Sequence, residues 1–136
     1  MSVTAAPPRP APVVELWDVL DRLRTLGPTG DPRVCAALLQ ATSALDGLVL
    51  REVAAVDAYG SHVEVGQPSA AALVQAAVDC TQAVASGTVR LARRLASDLR
   101  PVGDLLIAGR LTRRHCAAVV HGVRGLDANI VTNSLD

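Results

Sequence analysis

Two short clusters in this sequence combine side chains that could bind a metal ion or a phosphate. His62 and Glu64 stand two residues apart in a polar stretch. No third ligand follows at a spacing typical of zinc or manganese sites, so we interpret the pair as part of a solvated loop and predict no metal site. His115 follows Arg113 by two residues at the start of a predicted helix, where it could contact a phosphate or hydrogen-bond back to the helix cap. We favour the structural role for His115.

No arrangement of residues typical of an enzyme accompanies these clusters. The sequence contains no glycine-rich phosphate loop, no Gly-X-Ser-X-Gly elbow and no His-Glu-X-X-His pair, and its carboxylates are scattered. Cys35, Cys80 and Cys116 are odd in number and far apart, which indicates neither a disulfide framework nor a zinc knuckle. Cys116 shares a predicted helix face with valines, and we expect it to pack in the core. We therefore predict no catalytic residue and no cofactor for this chain.

Arginine is the residue type whose distribution points to a ligand. All 13 basic residues are arginines, and the 13 acidic residues bring the formal net charge to zero. Between Ser86 and Arg124, however, eight arginines stand against Asp98 and Asp104, a local excess of six positive charges. Such an excess could dock on a phosphate backbone, although a charged helix face is usually just solvated. The candidate nucleic-acid contacts are Arg90, Arg93, Arg94, Arg110, Arg113 and Arg114.

The elements that must position these arginines are helices, because apolar residues recur at intervals of three and four along most of the chain. Hydrophobic residues make up 50% of the sequence and aromatics only 1%, which suits closely packed helices built from Ala, Val and Leu. No segment alternates as a strand would. We predict an all-α helical bundle with one long N-terminal helix followed by shorter helices. The predicted helices, with their caps, cover 13–26, 31–59, 69–78, 81–99, 101–109 and 112–123.

The long helix carries the most extended apolar stripe. Asp31 before Pro32 is typical of an N-cap followed by proline at the first helical position, where its missing N–H costs nothing. From Val34 to Tyr59 the apolar positions keep steps of three and four residues, interrupted only by Glu52. The predicted helix would be about 40 Å long, too long to be stable alone unless neighbouring helices cover its apolar stripe.

Tails are predicted on both sides of a single helical domain at 13–126. Four prolines among small residues deny the segment 1–12 helical hydrogen bonds, and 127–136 follows the last predicted helix. The start has no apolar region of the signal-peptide type. No uncharged apolar run approaches the roughly 20 residues that span a bilayer. We therefore expect a cytoplasmic protein without a membrane partner.

Residues 66–120 carry motifs known from one protein family. Gly66 and Ser69 precede a helix, and Ala85 stands four positions after Thr81. The sequences VRLARRL and IAGRLTRRH occupy 89–95 and 107–115. In these motifs the chain resembles the domain of unknown function 222 family. Members form the N-terminal helical domain of HNH endonuclease-like repeat proteins of high-GC Gram-positive bacteria, including proteins associated with mobile elements. The chain departs from the family pattern at Ala72, where Trp is common, and at Cys116, where Ala is usual.

The resemblance implies a companion to a nuclease rather than a nuclease. An HNH centre needs a general-base His, an Asn that orients it and a further His or Asn on a divalent metal. After His121 only Asn129 and Asn133 remain. The resemblance thus implies a non-catalytic helical accessory domain that positions DNA or a partner. The alternatives are a helical interaction module that dimerises through the long helix, and a non-functional remnant of a mobile-element gene.

Overall fold

The computed structural model describes the backbone of residues 9–122, and the side chains of this range except those at 117 and 120–122. The predicted C-terminal tail at 127–136 and the predicted stripe residue Val123 lie outside the described residues. Within 9–122 the chain is all-α, as predicted, with one long helix followed by shorter ones. The elements are α1 (Ala11–Leu26), α2 (Pro32–Tyr59), a 3₁₀ helix (Ser61–Val65), α3 (Ala70–Val78), α4 (Gln82–Leu95), α5 (Arg100–Ile107) and α6 (Arg113–Gly122).

Four of these helices begin where the sequence predicts a cap. In each case a side-chain oxygen accepts a hydrogen bond from a backbone N–H of the first turn, which otherwise has no helical partner. The bonds join Arg33 N to Asp31 Oδ1 (2.8 Å), Ala72 N to Ser69 Oγ (3.0 Å), Val84 N to Thr81 Oγ1 (3.2 Å) and His115 N to Thr112 Oγ1 (3.1 Å).

Three boundaries differ from the predicted ones. The first helix starts at Ala11, two residues earlier than expected, because Pro12 is tolerated in a first turn that needs no N–H. The segment Ser61–Val65, expected to be a loop, is a 3₁₀ helix flanked by two glycines with positive φ. The fourth helix ends at Leu95, and Val84, expected on its buried stripe, is 55% exposed.

The chain divides into two compact units, Met1–Cys35 and Ala36–Asp136. In the first unit, no residue of α1 is buried. Its aromatic side chain, Trp17, lies against two guanidinium groups, with Arg9 at 4.0 Å and Arg24 at 5.6 Å from the ring centroid. Arg24 also bonds to Asp21 one turn earlier, at 2.6 Å. These contacts order the side chains of α1 through charge and stacking rather than through a core.

The core of the second unit is small and aliphatic. It is built on α4, which packs against α3, α5 and α6, and α2 contributes Leu50 to the same buried cluster. Helix α6 contributes Cys116, which is fully buried as the sequence predicts. The buried cluster comprises Leu50, Leu91, Ala92, Leu95, Leu99, Val102, Leu106 and Cys116.

Helix α2 approaches the end of α5 closely enough to require glycine. A Cβ built on Gly47 would lie 2.7 Å from the backbone nitrogen and 2.9 Å from the Cα of Ile107. After α5 the chain turns at Gly109, whose φ of +74° favours glycine, and a Cβ there would lie 2.9 Å from the carbonyl oxygen of Gln40 on α2. Two glycines therefore set the distance between α2 and the α5–α6 turn.

By length and composition alone, α2 is also apolar enough to cross a membrane, with a mean hydropathy of 1.3. One such helix is weak evidence for a membrane span, because core helices of soluble proteins and signal sequences have the same length and composition. Asp46 lies near the middle of α2, and the face bearing Gly47 packs on the backbone of α5.

Candidate functional site

The two sides of α2 differ in how far they are buried. Its inner face, against the core of the second unit, presents Ser43, Gly47 and Leu50, all buried. Its outer side presents the predicted apolar stripe, which is partly exposed. Leu38 is 45% exposed, Leu45 39% and Leu48 36%. We call the outer positions Leu38, Ala41, Leu45 and Leu48 the outer seam.

The spacing of the outer seam is that of a coiled coil. Its steps are three and four residues, so Leu38 and Leu45 occupy a positions of a heptad repeat and Ala41 and Leu48 occupy d positions. Val49, beside the seam, is 45% exposed. The same numbering places the buried Ser43 and Leu50 at f positions, on the opposite side of the helix. The heptad pattern of α2 therefore points away from its own domain.

Three of the six predicted nucleic-acid contacts are engaged inside the domain. Arg93 of α4 bonds through Nε and Nη2 to both carboxylate oxygens of Asp57 at the end of α2, at 2.6 and 2.9 Å. That bidentate bond lowers the pKa of Asp57 and raises the pKa of Arg93. Arg94 bonds to Asp98 one turn later at 2.8 Å, and its hydrogen bond lowers the pKa of the Asp98 carboxyl. Arg93 thereby joins α4 to α2, and Arg94 ties α4 to the turn that follows it.

Arg113 is the third engaged arginine. Its Nη2 donates to the hydroxyl of Thr88 at 2.7 Å, and that hydroxyl donates in turn to the carbonyl of Val84 at 2.9 Å. Thr88 is a buried polar residue on α4, so this chain of bonds satisfies it and ties the first turn of α6 to α4.

The other three predicted contacts remain available. Arg90, Arg110 and Arg114 are exposed, and none forms an ion pair within the described residues. Arg90 lies on α4, Arg110 in the turn after α5, and Arg114 in the first turn of α6. The predicted cluster of six is thus divided into three arginines with a bond to another side chain of the domain and three without an ion pair in the described residues.

The motif at 107–115 is explained by local structure. The N–H of Gly109 bonds to the carbonyl of Leu106, and the N–H of Arg110 bonds to that of Leu105, both at 2.9 Å, which is a Schellman ending for α5. Thr112 then caps α6. The backbone N–H of His115 donates to the hydroxyl of Thr112, and His115 is exposed. Burial raises the pKa of the neighbouring Cys116 thiol to about 11.

The predicted pair His62 and Glu64 lies in the 3₁₀ helix. The ring Nδ1 of His62 is 2.9 Å from the carbonyl oxygen of Gln67, while Glu64 is exposed. No group of three or more His, Cys, Asp or Glu side chains within the described residues could hold a metal ion. His62 thus closes the turn into α3.

A cleft between α2, α4 and α5 is lined by residues that sequence reasoning did not connect. Its volume is about 370 Å³. Arg51 of α2 and Arg100 and Asp104 of α5 are exposed at its edge. Neither Arg51 nor Arg100 was among the predicted contacts. The two arginines are 49 positions apart in the sequence, and only the packing of the helices brings both to one cleft.

These observations define a small all-α domain with an uncovered helix seam and several exposed arginines. The chain belongs to the family described as Domain of unknown function (DUF222), which its residues 32–136 match. The predicted family is therefore confirmed, and the match begins at the first residue of α2. No curated protein and no solved structure matches the chain. The association with HNH nucleases and high-GC bacteria stays a prediction.

Proposed function

We propose that the chain is a non-catalytic helical accessory domain that associates with a second copy of itself through the outer seam of α2. The observation that carries this proposal is the heptad spacing of Leu38, Ala41, Leu45 and Leu48 on the exposed side of the helix. Leucines at a and d positions gain most when a second helix inserts its own side chains between them. The chemistry of the seam therefore calls for another amphipathic helix as occupant.

Charge decides the orientation of the two helices. Glu52 occupies the next a position after Leu48, so a parallel, in-register dimer would place two carboxylates against each other in the seam. An antiparallel dimer sets Leu38 against the partner's Leu48 and Ala41 against the partner's Leu45. In that arrangement Glu52 lies near the partner's Arg33, whose side chain is 91% exposed. The small Ala41 thus faces the larger Leu45, the two end leucines face each other, and opposite charges meet at the ends.

The size of the seam predicts weak association. Each half-exposed leucine gains roughly 1 kcal/mol when covered, whereas bringing two molecules together costs about 4–15 kcal/mol. The expected state is a dimer that dissociates on dilution.

Sedimentation equilibrium over a wide concentration range tests this proposal. We expect Leu45→Glu to give a folded monomer at every concentration. Val84→Glu, at an exposed valine of α4 outside the seam, is the matched control and should leave the dimer intact. A wild-type chain that remains monomeric at the highest concentrations would refute the proposal.

Cysteine cross-linking tests the orientation, in a background with Cys35 and Cys80 changed to Ser. A mixture of Leu38→Cys and Leu48→Cys proteins should form the mixed disulfide, because an antiparallel dimer brings these positions together. Leu45→Cys alone should form little. Efficient cross-linking of Leu45→Cys to itself would indicate a parallel dimer and contradict the charge argument.

Positioning of DNA is the second candidate function, and the exposed arginines favour it. Arg90, Arg110 and Arg114 have no intramolecular acid to neutralise them in the described part of the chain. Exposed guanidinium groups bind phosphates without reading sequence, and they release counterions as they do so. Three contacts predict a logarithmic salt slope of about −3 on duplex DNA.

Fluorescence anisotropy with labelled duplex DNA at low and moderate salt tests this candidate. We expect the triple variant Arg90→Gln, Arg110→Gln, Arg114→Gln to lose binding. The control variant Arg9→Gln, Arg22→Gln, Arg24→Gln removes the same charge elsewhere and should bind as the wild type does. Equal losses in both variants, or no binding by the wild type at low salt, would rule the candidate out.

A further inference from the structure

We propose that the cleft between α2, α4 and α5 binds a small organic monoanion with an apolar body, such as a medium-chain carboxylate. The cleft lies wholly within the second unit and shares no residue with the outer seam. Its volume of about 370 Å³ falls in the range of ligand pockets, roughly 300–1,000 Å³.

The cleft is open because small residues line it where helices meet. Ala92 and Ala96 contribute only methyl groups, which leave the space unfilled. Gly47 and Gly103 also line the cleft, but a Cβ on either would meet the backbone of Ile107 or Leu95. The two glycines therefore allow the helices to approach, and the two alanines leave the space between them open.

The floor of the cleft is apolar. Ile107 is half-buried and contributes aliphatic surface to the lining, which also includes the buried Leu95 and Leu106. An alkyl or similarly apolar group placed on this surface would leave water, which is favourable by about 25 cal/mol per Å² covered.

The edge of the cleft selects an anion. Arg51 and Arg100 both line it, and neither forms an ion pair within the described residues. Asp104 stands one turn after Arg100 but not within ion-pair distance of it, which differs from the paired Arg94 and Asp98. Two guanidinium groups against one carboxylate leave a single net positive charge, which one ligand carboxylate would balance.

Two sources could supply this chemistry, a free carboxylate or the apolar C-terminal residue of a peptide. The probe is the fluorescent anion anilinonaphthalene sulfonate, displaced by octanoate or by a short peptide ending in a free leucine carboxylate. Displacement by octanoate supports a metabolite site, and displacement by the peptide alone supports a peptide site. Displacement by neither, or equal displacement by octan-1-ol and octanoate, would overturn the proposal.

Variants assign the effect to the cleft. Arg51→Gln and Arg100→Gln should each weaken binding about tenfold, the loss expected for one charge-assisted contact. Ala96→Leu should block binding by filling the cleft without changing charge. Arg90→Gln, at an exposed arginine outside the cleft, should leave affinity unchanged. Binding that survives Ala96→Leu in a folded protein, with thermal unfolding as the check, would place the probe elsewhere and refute the assignment.

Discussion

The inner and outer faces of α2 are both apolar, yet only one of them packs into the domain. The inner face is built around Gly47 and Ser43 and comes within contact of the backbone of Ile107. The outer face carries Leu38 and Leu45, which are as large as the buried Leu50 of the inner face, and is left exposed. What distinguishes the inner face is its small residues, which let two helices approach closely.

Among substitutions that add one methyl group, the largest effect is expected where the inner face meets backbone. Gly47→Ala should destabilise the domain by about 2–3 kcal/mol, because its Cβ would overlap backbone atoms of Ile107 that cannot move aside. Gly87→Ala on α4 is the matched control. The nearest atom to its Cβ is the end of the Arg90 side chain at 4.0 Å, so it should stabilise by about 0.5–1 kcal/mol through helix propensity. Urea unfolding measures both, and equal changes would show that close approach is not decisive.

The turn that meets the same face of α2 should be the next most sensitive. Gly109→Ala combines a positive φ with a Cβ 2.9 Å from the carbonyl oxygen of Gln40, for an expected loss of about 2 kcal/mol. Gly60→Ala has a similar φ of +68° but nothing within 4 Å, and should lose only about 1 kcal/mol. If the two losses measured by thermal unfolding are the same, the contact with α2 contributes nothing.

At the end of α2, Asp57 makes a pH-dependent contribution to the stability of the fold. Its pKa is lowered in the folded state by the hydrogen bond from Arg93, so the contribution is full above the unfolded pKa near 3.8. It is lost as the pH falls through the lower folded value. Asp57→Asn should therefore be less stable than the wild type at neutral pH and converge with it in strong acid. Arg93→Gln should follow the same curve, and a difference that persists in acid would indicate a packing effect instead.

The smallest effect on folding is expected from the outer face. Leu38→Ala should cost less than about 1 kcal/mol in unfolding experiments on dilute protein, since the side chain is 45% exposed. Leu50→Ala, at a residue only 1% exposed on the inner side of the same helix, should cost about 2–5 kcal/mol. Comparable losses would mean that the outer face is covered in solution by the domain itself.

The helices and their caps could be predicted from sequence because their signals are local. Asp31, Ser69, Thr81 and Thr112 each act on the turn that follows them, and all four are caps in the structure. The direction in which α2 faces could not be predicted in the same way. A heptad repeat indicates a stripe but not its partner, and the signal for the buried side was the small residue Gly47.

The arginines show the same limit. The bond between Arg94 and Asp98 spans one helical turn and is readable from their spacing. The bond between Arg93 and Asp57 spans 36 positions and depends on how α2 and α4 pack. The meeting of Arg51 and Arg100 at the cleft is equally remote in sequence. Composition located the basic segment, but tertiary packing decided which of its arginines bond to other side chains of the domain.

The opposed faces of α2 have an evolutionary consequence. Substitutions at Gly47 or Gly109 act on folding, whereas substitutions at Leu38 or Leu45 act on an exposed surface that the domain does not need in order to fold. If the outer seam binds a second copy as proposed, a few leucine substitutions would change that association without unfolding the domain. The residues that hold the fold and those that would bind a partner are thus free to evolve at different rates.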